Sequence, residues 1–150
     1  MIALIQRVTR AAVAIDNREI AAIGPGMLAL IAVERGDGGA EVERLAERLL
    51  KFRLFADSNG RMNLDIGTAG GSLLLVPQFT LAADTEAGHR PSFSGSAPPE
   101  LARGMFDALV AAIEAQGQPA AVGRFGADMQ VSLVNDGPVT FSLRVKPAQS

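Results

Sequence analysis

The sequence predicts a single α+β domain in which two helices pack on a sheet. Three observations predict it. The chain has 150 residues, the length of one domain and enough to bury a core without disulfides or metal. Most of its apolar residues fall in short stretches that either alternate with polar residues or run uninterrupted, as strands do. Only two segments repeat apolar residues at helical spacing. No internal repeat, linker or low-complexity segment divides the chain.

In order, Ile2 to Thr9 and Ala11 to Ile15 are rich in β-branched and aliphatic residues, and Asp16-Asn17 makes a turn before Glu19 to Ile23. These read as three short strands. Gly24-Pro25-Gly26 breaks the pattern, and Met27 to Val33 is almost wholly apolar, as in a strand covered on both faces. Glu34 to Gly39 is a polar loop leading to a first helix, Ala40 to Phe52. There Val42, Leu45, Ala46, Leu49 and Leu50 form the apolar stripe, and Glu47 and Lys51 are ordered for an i,i+4 pair. Leu54 to Ala56 and Arg61 to Leu64 are short strands about the turn Asp57-Ser58-Asn59-Gly60. Ser72 to Val76 is another buried strand, delivering Pro77-Gln78-Phe79-Thr80-Leu81 to its end. Ala82 to Ala97 is a long loop without periodicity, holding Asp84, Thr85, His89, Arg90, Ser92, Phe93 and Ser94. Pro98-Pro99 opens the second helix, with Ser96 as its cap, Leu101, Met105, Leu109 and Ile113 as its buried stripe and Gly117 as its stop. Gln118 to Gly126 reads as a connector. Met129, Val131 and Leu133 then alternate with polar residues, as do Val139, Phe141, Leu143 and Val145. Between the two lies Val134-Asn135-Asp136-Gly137-Pro138-Val139-Thr140, which reads as the turn of a hairpin.

Composition excludes several function classes. With no cysteine there is no disulfide, thiolate metal site or Cys nucleophile, which fits a reducing cytosol. Hydrophobic residues make up 48% of the chain, yet no apolar run approaches the ~18 residues of a membrane span. The opening Met1 to Arg7 lacks the basic and apolar regions of a secretory signal. We expect a soluble intracellular protein. A formal net charge of −2 and a pI near 5.4 argue against a broad basic footprint for duplex nucleic acid. Any nucleic acid would have to be gripped locally, at few phosphates.

Side-chain catalysts are sparse. The single histidine is His89, beside Arg90 in the long loop, where a catalytic base and an ordinary exposed histidine read alike. One histidine and no cysteine nearly exhaust the usual zinc ligands, so neither metal nor cofactor is expected. There is no GxSxG elbow and no GxxxxGK[ST] phosphate loop. Thr80 is the best-placed hydroxyl, without an evident base beside it. Backbone chemistry remains. The consecutive N–H groups of Gln78, Phe79 and Thr80, where a strand breaks, could hold a developing oxyanion if they converge.

Gln78-Phe79-Thr80-Leu81, Arg90-Pro91-Ser92-Phe93, Gly126-Ala127-Asp128-Met129-Gln130-Val131, Asn135-Asp136-Gly137-Pro138-Val139-Thr140 and the opening Met1 to Val8 together resemble the D-aminoacyl-tRNA deacylases. The likeness spans essentially the whole chain in the right order. It implies a layered α/β/β fold with a mixed sheet. It implies a cytoplasmic homodimer that removes D-amino acids from the 3′-terminal adenosine of tRNA, with active sites at the subunit interface. In that family Gln78 to Thr80 would line the pocket, and Gly137 and Pro138, joined by a cis peptide, would enter the partner subunit's pocket as a selectivity filter. Arg7 and Asn135 would support that loop. Phe125 reads equally as a residue that stacks on the terminal adenine and as a core phenylalanine.

The resemblance agrees with the sparse side-chain chemistry. An aminoacyl ester is already activated, and the neighbouring 2′-hydroxyl of the ribose can assist attack by water, so the protein need mainly position groups and stabilise the oxyanion. The chain departs from the family at Pro77, where a serine is usual; proline removes that hydroxyl and one backbone donor. Two other readings of the residues stand beside this one: a non-catalytic module for RNA 3′ ends, and an unrelated esterase using Thr80 with His89.

Overall fold

The computed structural model describes residues 1–148, and its organisation follows from the length of the first strand. β1 (Ile2–Ile15) is one strand of 14 residues. The expected break at Thr9-Arg10 is absent, because β8 pairs with the strand on either side of it, Val8 opposite Asn135 and Arg10 opposite Val134. One edge of β1 is shared: Ile2 to Val8 pair antiparallel with β3 (Gly26–Ala32), and Ala11 to Ile15 with β2 (Arg18–Ile23). Asp16 and Asn17 both take positive φ, 50° and 62°, in the tight turn between β1 and β2. The other edge of β1 pairs antiparallel along nearly its full length with β8 (Gln130–Arg144).

From β3 the sheet continues in parallel through β6 (Ser72–Pro77) to β7 (Ala120–Val122), a strand inside the stretch that read as a connector. Only three residues long, β7 lies below the length at which alternation can be recognised. The β3–β6 crossover carries α1 (Gly39–Lys51), the small hairpin of β4 (Phe55–Ala56) and β5 (Met62–Leu64), and α2 (Ile66–Ala69), a single turn that sequence pattern did not indicate. The β6–β7 crossover carries the long loop and α3 (Pro99–Ala115).

Period-two alternation divides the core into two layers. Met27, Ala29 and Ile31 of β3, with Leu73 and Leu75 of β6, face α1 and α3; Leu28, Leu74 and Val76 face the other way, toward Val8, Ala11 and Val13 of β1. Helices, central sheet and the outer part of the long strands thus stack as α/β/β, and the sheet is mixed. α1 inserts Val42, Leu45, Ala46 and Leu49, as its periodicity requires. Glu47 and Lys51 form their ion pair at 2.8 Å on the exposed face. In α3 the buried stripe is Ala102, Phe106, Leu109 and Ile113: Leu109 and Ile113 are as expected, while Ala102 and Phe106 take the places of Leu101, which is exposed, and Met105, which is half-buried. Pro98 holds the N-cap position, and the Ser96 hydroxyl is buried without a hydrogen bond rather than capping the helix.

The largest difference concerns residues 134–140. They do not reverse the chain. Residues 130–134 and 140–144 lie on the same strand against β1, with Val8 opposite Asn135 and Gln6 opposite Thr140. The four residues Asp136 to Val139 therefore stand opposite Arg7 alone, as a wide bulge. Two alternating segments joined by Asn, Asp, Gly and Pro fit a hairpin and a bulge equally well; what excludes the hairpin is a partner strand long enough to pair with both.

β3 and β6 approach closely at Gly26, where an added Cβ would lie 1.9 Å from the Ser72 carbonyl oxygen. Both groups are backbone, so neither yields cheaply. Gly26→Ala should cost about 3 kcal/mol. Thermal denaturation would show the midpoint falling by about 6–12 °C, and a fall of under about 2 °C would refute the close approach.

Candidate active site

Beyond the C-terminal end of β6, between its parallel neighbours, opens a cavity of about 390 Å³. Val76, Pro77, Gln78 and Phe79 form one side; Ala97, Pro99 and Ala102 at the start of α3, and the segment Phe125 to Ala127 with Met129 and Val131, form the rest. The lining is largely apolar, with its polar groups concentrated where β6 stops. Gly123 brings the wall in close: its amide donates to Leu75 O at 2.8 Å, and a Cβ there would lie 3.0 Å from Met129 Sδ.

After Pro77 the chain leaves the sheet through Gln78 and enters a 3₁₀ turn, Phe79–Ala82. The Gln78 amide donates to Ile31 O at 2.7 Å, completing the β3–β6 ladder. It is therefore not an oxyanion donor, which corrects the three-amide expectation. The Phe79 and Thr80 amides begin the turn, where helical N–H groups have no internal acceptor. Among the described residues neither makes a backbone hydrogen bond, whereas Leu81 donates to Gln78 O at 3.2 Å and Ala83 to Thr80 O at 3.1 Å. Two adjacent donors are thus left, one on Phe79, which lines the cavity, and one on Thr80, the exposed residue after it. The Gln78 side chain turns back and donates from Nε2 to Thr80 Oγ1, tying these two side chains together.

Phe79 is 57% exposed and meets Phe93 of the long loop, ring centroids 5.3 Å apart and planes tilted by 48°. That loop is itself anchored. Asp84 and Ser92 exchange backbone hydrogen bonds of 2.7 and 2.9 Å, and Arg35 Nε donates to Ser94 O at 2.6 Å. His89 and Arg90 lie on its exposed tip, outside the cavity lining. No hydrogen bond joins His89 to Thr80 among the described residues, so the Thr80–His89 esterase lacks its paired base. Pro77 takes part in the β6 register opposite Ile31 and lines the cavity.

The second group of expected residues gathers at the bulge in β8. Arg7 Nε donates to Asp136 O at 3.1 Å and lies 3.6 Å from Asp136 Oδ2, while Nη1 donates to Leu54 O at 3.2 Å. Asn135 bridges the base of the bulge: Oδ1 accepts from Val139 N at 2.9 Å, and Nδ2 donates to Thr140 Oγ1 at 2.8 Å. The Gly137–Pro138 peptide is cis, and Gly137 has φ of 140°. Both residues are exposed and line no part of this chain's cavity.

Phe125 does line the cavity, and Arg103 of α3 lies over its ring, Cζ 5.1 Å from the centroid. Met129 and Val131 of the Gly126 to Val131 segment, expected only as strand residues, also line the cavity, and Arg103 was not expected near it. Nothing in the local pattern distinguishes Arg103 from other arginines on a helix's polar face; only the packing of α3 on the 123–129 segment does.

Residues 4–144 match the family model described as D-Tyr-tRNA(Tyr) deacylase. A D-aminoacyl-tRNA deacylase of Methylococcus capsulatus is 63% identical over 147 residues, covering 98% of this chain and 96% of its own. One from Nitrosococcus oceani is 57% identical over 148 residues, covering 99% and 96%. Among solved structures, the c-Myc DNA Unwinding Element Binding Protein superposes with a TM-score of 0.93 at 35% identity, covering 99% of this chain and all of the other. A probable eukaryotic D-amino acid tRNA deacylase shares the fold, with a TM-score of 0.77 at 12% identity over 95% and 98% of the two chains. With a family model spanning nearly its whole length and relatives of this identity, the chain belongs to the D-Tyr-tRNA(Tyr) deacylase family.

Proposed function

We propose that the chain hydrolyses the ester between a D-amino acid and the 3′-terminal adenosine of tRNA, rejecting the L-amino acid, as a cytoplasmic homodimer without a cofactor. The observation that carries this is the pair of adjacent amides, Phe79 and Thr80, which make no backbone hydrogen bond at the edge of an apolar cavity where, among the described residues, no nucleophile is hydrogen-bonded to a base. Such a site can stabilise an oxyanion but cannot generate a strong nucleophile. It suits an ester that is already activated and carries its own assisting hydroxyl. Water attacks the carbonyl carbon, its proton passes by way of the ribose 2′-hydroxyl to the 3′-oxygen, and the acyl C–O bond breaks to give the free amino acid and tRNA with its 3′-hydroxyl restored. Phe125 offers the terminal adenine a ring to stack on.

Selectivity is assigned to the bulge of a second copy. Gly137 and Pro138 project to solvent on a segment braced by Arg7 and Asn135, away from this chain's own cavity. In a two-fold dimer the bulge of each copy serves the cavity of the other. Their carbonyls form a wall beside the substrate's α-carbon, leaving room for hydrogen where an L-amino acid would place its side chain. Exclusion, not attraction, discriminates.

Release of tyrosine from D-tyrosyl-, L-tyrosyl- and glycyl-tRNA tests the proposal. D-tyrosine should be released at least a hundredfold faster than L-tyrosine, and glycine, which has no side chain to exclude, should be released measurably at high enzyme concentration. Binding of all three without release would leave a non-catalytic RNA module instead, and complete resistance of glycyl-tRNA would rule out filtering by exclusion.

A further inference from the structure

We propose that Arg103 is a phosphate-binding residue of this site, receiving the phosphate on the 5′ side of the terminal adenosine. The inference rests on the deacylase reading above. Pro99 and Ala102 on the first turns of α3 line the cavity, so Arg103, next along the helix and exposed, stands at its rim. Its guanidinium lies over Phe125, and a Cβ at Gly126 would be 3.7 Å from Arg103 Nη2, so it covers the Phe125-Gly126 step.

Two carboxylates are within helical reach, Glu100 three residues before and Asp107 four after. Arg103 pairs with neither, and joins no ion pair or hydrogen bond among the described residues. A guanidinium lying over a ring and making no hydrogen bond keeps its N–H fork free, and contact with the ring restricts where that fork can point. A planar, oriented, unpaired fork is the donor arrangement that phosphate oxygens accept from in bidentate fashion. Phe125 packs in part against the core and lines the cavity with the rest of its surface, so an adenine set against it there brings its 5′ phosphate toward the arginine. A chain of net charge −2 cannot hold RNA by a diffuse field. One oriented cation at the cavity rim supplies the local grip its composition requires.

The test compares wild type, Arg103→Gln and Arg103→Lys on D-tyrosyl-tRNA and on the D-tyrosyl ester of adenosine, which has no phosphate. On the tRNA, Arg103→Gln should lower kcat/KM by about tenfold and reduce the slope of log(kcat/KM) against log[salt] by about 0.7, the share of one single-strand phosphate contact. Arg103→Lys should keep the salt slope while losing part of the rate. On the adenosine ester all three should agree within about twofold. Equal losses on both substrates would show that Arg103 merely supports Phe125, and unchanged activity on the tRNA would show no phosphate contact; either overturns the inference. Wild-type protein inert toward both esters would overturn the deacylase reading, and this inference with it.

Discussion

Replacing the terminal ribose of D-tyrosyl-tRNA with 2′-deoxyribose should slow its hydrolysis by about a thousandfold, whereas Thr80→Ala should cost less than about tenfold. The contrast follows from where protons can go. Thr80 Oγ1 accepts a hydrogen bond from Gln78 Nε2, and His89 is on an exposed loop tip without a bond to it. A hydroxyl without a base is a poor nucleophile, and a positioned general acid–base group contributes ~10²–10⁴-fold where one is present. In this site the group on hand is the substrate's own hydroxyl, adjacent to the reacting ester and held there without further loss of entropy. Single-turnover rates at saturating enzyme separate chemistry from binding. If the deoxy substrate is cleaved normally while Thr80→Ala is inactive, Thr80 is the nucleophile and the assignment is wrong. If both changes are harmless, the oxyanion donors act with bulk water alone.

The same geometry limits what the protein contributes. Of three consecutive amides at the end of β6, the first completes the sheet by bonding to Ile31 and the next two are released because the chain tightens into a 3₁₀ turn. Pro77 is tolerated before them since β6 runs in register through Pro77 opposite Ile31 and the following amide closes the ladder. Losing a donor at Pro77 leaves Phe79 and Thr80 untouched.

How far sequence carried this site depends on the range of the interaction concerned. α1 was legible because its stripe of Val42, Leu45, Ala46 and Leu49 is a local property of one helix. β3 and β6 were legible because strands covered on both faces are apolar throughout. The stripe of α3 was legible at Leu109 and Ile113 but displaced by one position in the first turns, because Leu101 is more hydrophobic than Ala102, yet α1 and the sheet meet the helix along the Ala102 and Phe106 side. The 134–140 segment carried the right residues and the wrong shape, since whether the chain turns or bulges is settled by β1, more than a hundred residues away. Arg103 was invisible for a like reason: its partner ring belongs to a segment with no regular pattern. The spent amide of Gln78 could not be known before its acceptor on β3 was.

Gly137→Ala should reduce discrimination between D- and L-tyrosyl-tRNA by at least a hundredfold. The residue takes φ of 140°, a conformation disfavoured for any side chain, and an added Cβ would lie 2.6 Å from Val139 Cγ2, 3.0 Å from Val139 N and 3.3 Å from Arg7 Nη2. The valine methyl can rotate; the Val139 amide cannot move without losing its 2.9 Å hydrogen bond to Asn135. The bulge must therefore reshape, and it does so where Arg7 holds Asp136. β1 and β8 pair on both sides of the bulge, so the distortion stays local and the fold should lose only about 1–3 kcal/mol. A wall that excludes by contact loses its effect when displaced by a fraction of an ångström, so the L-substrate gains more than the D-substrate loses. Asn135→Ala approaches the same wall from its other support, freeing the Val139 amide without adding an atom, and should shift the ratio in the same direction. The ratio of kcat/KM for the two substrates, measured alongside the thermal midpoint, distinguishes loss of the filter from loss of the fold. An unchanged ratio in both variants, with the fold intact, would move chiral selection away from Gly137 and Pro138 to the cavity's own lining.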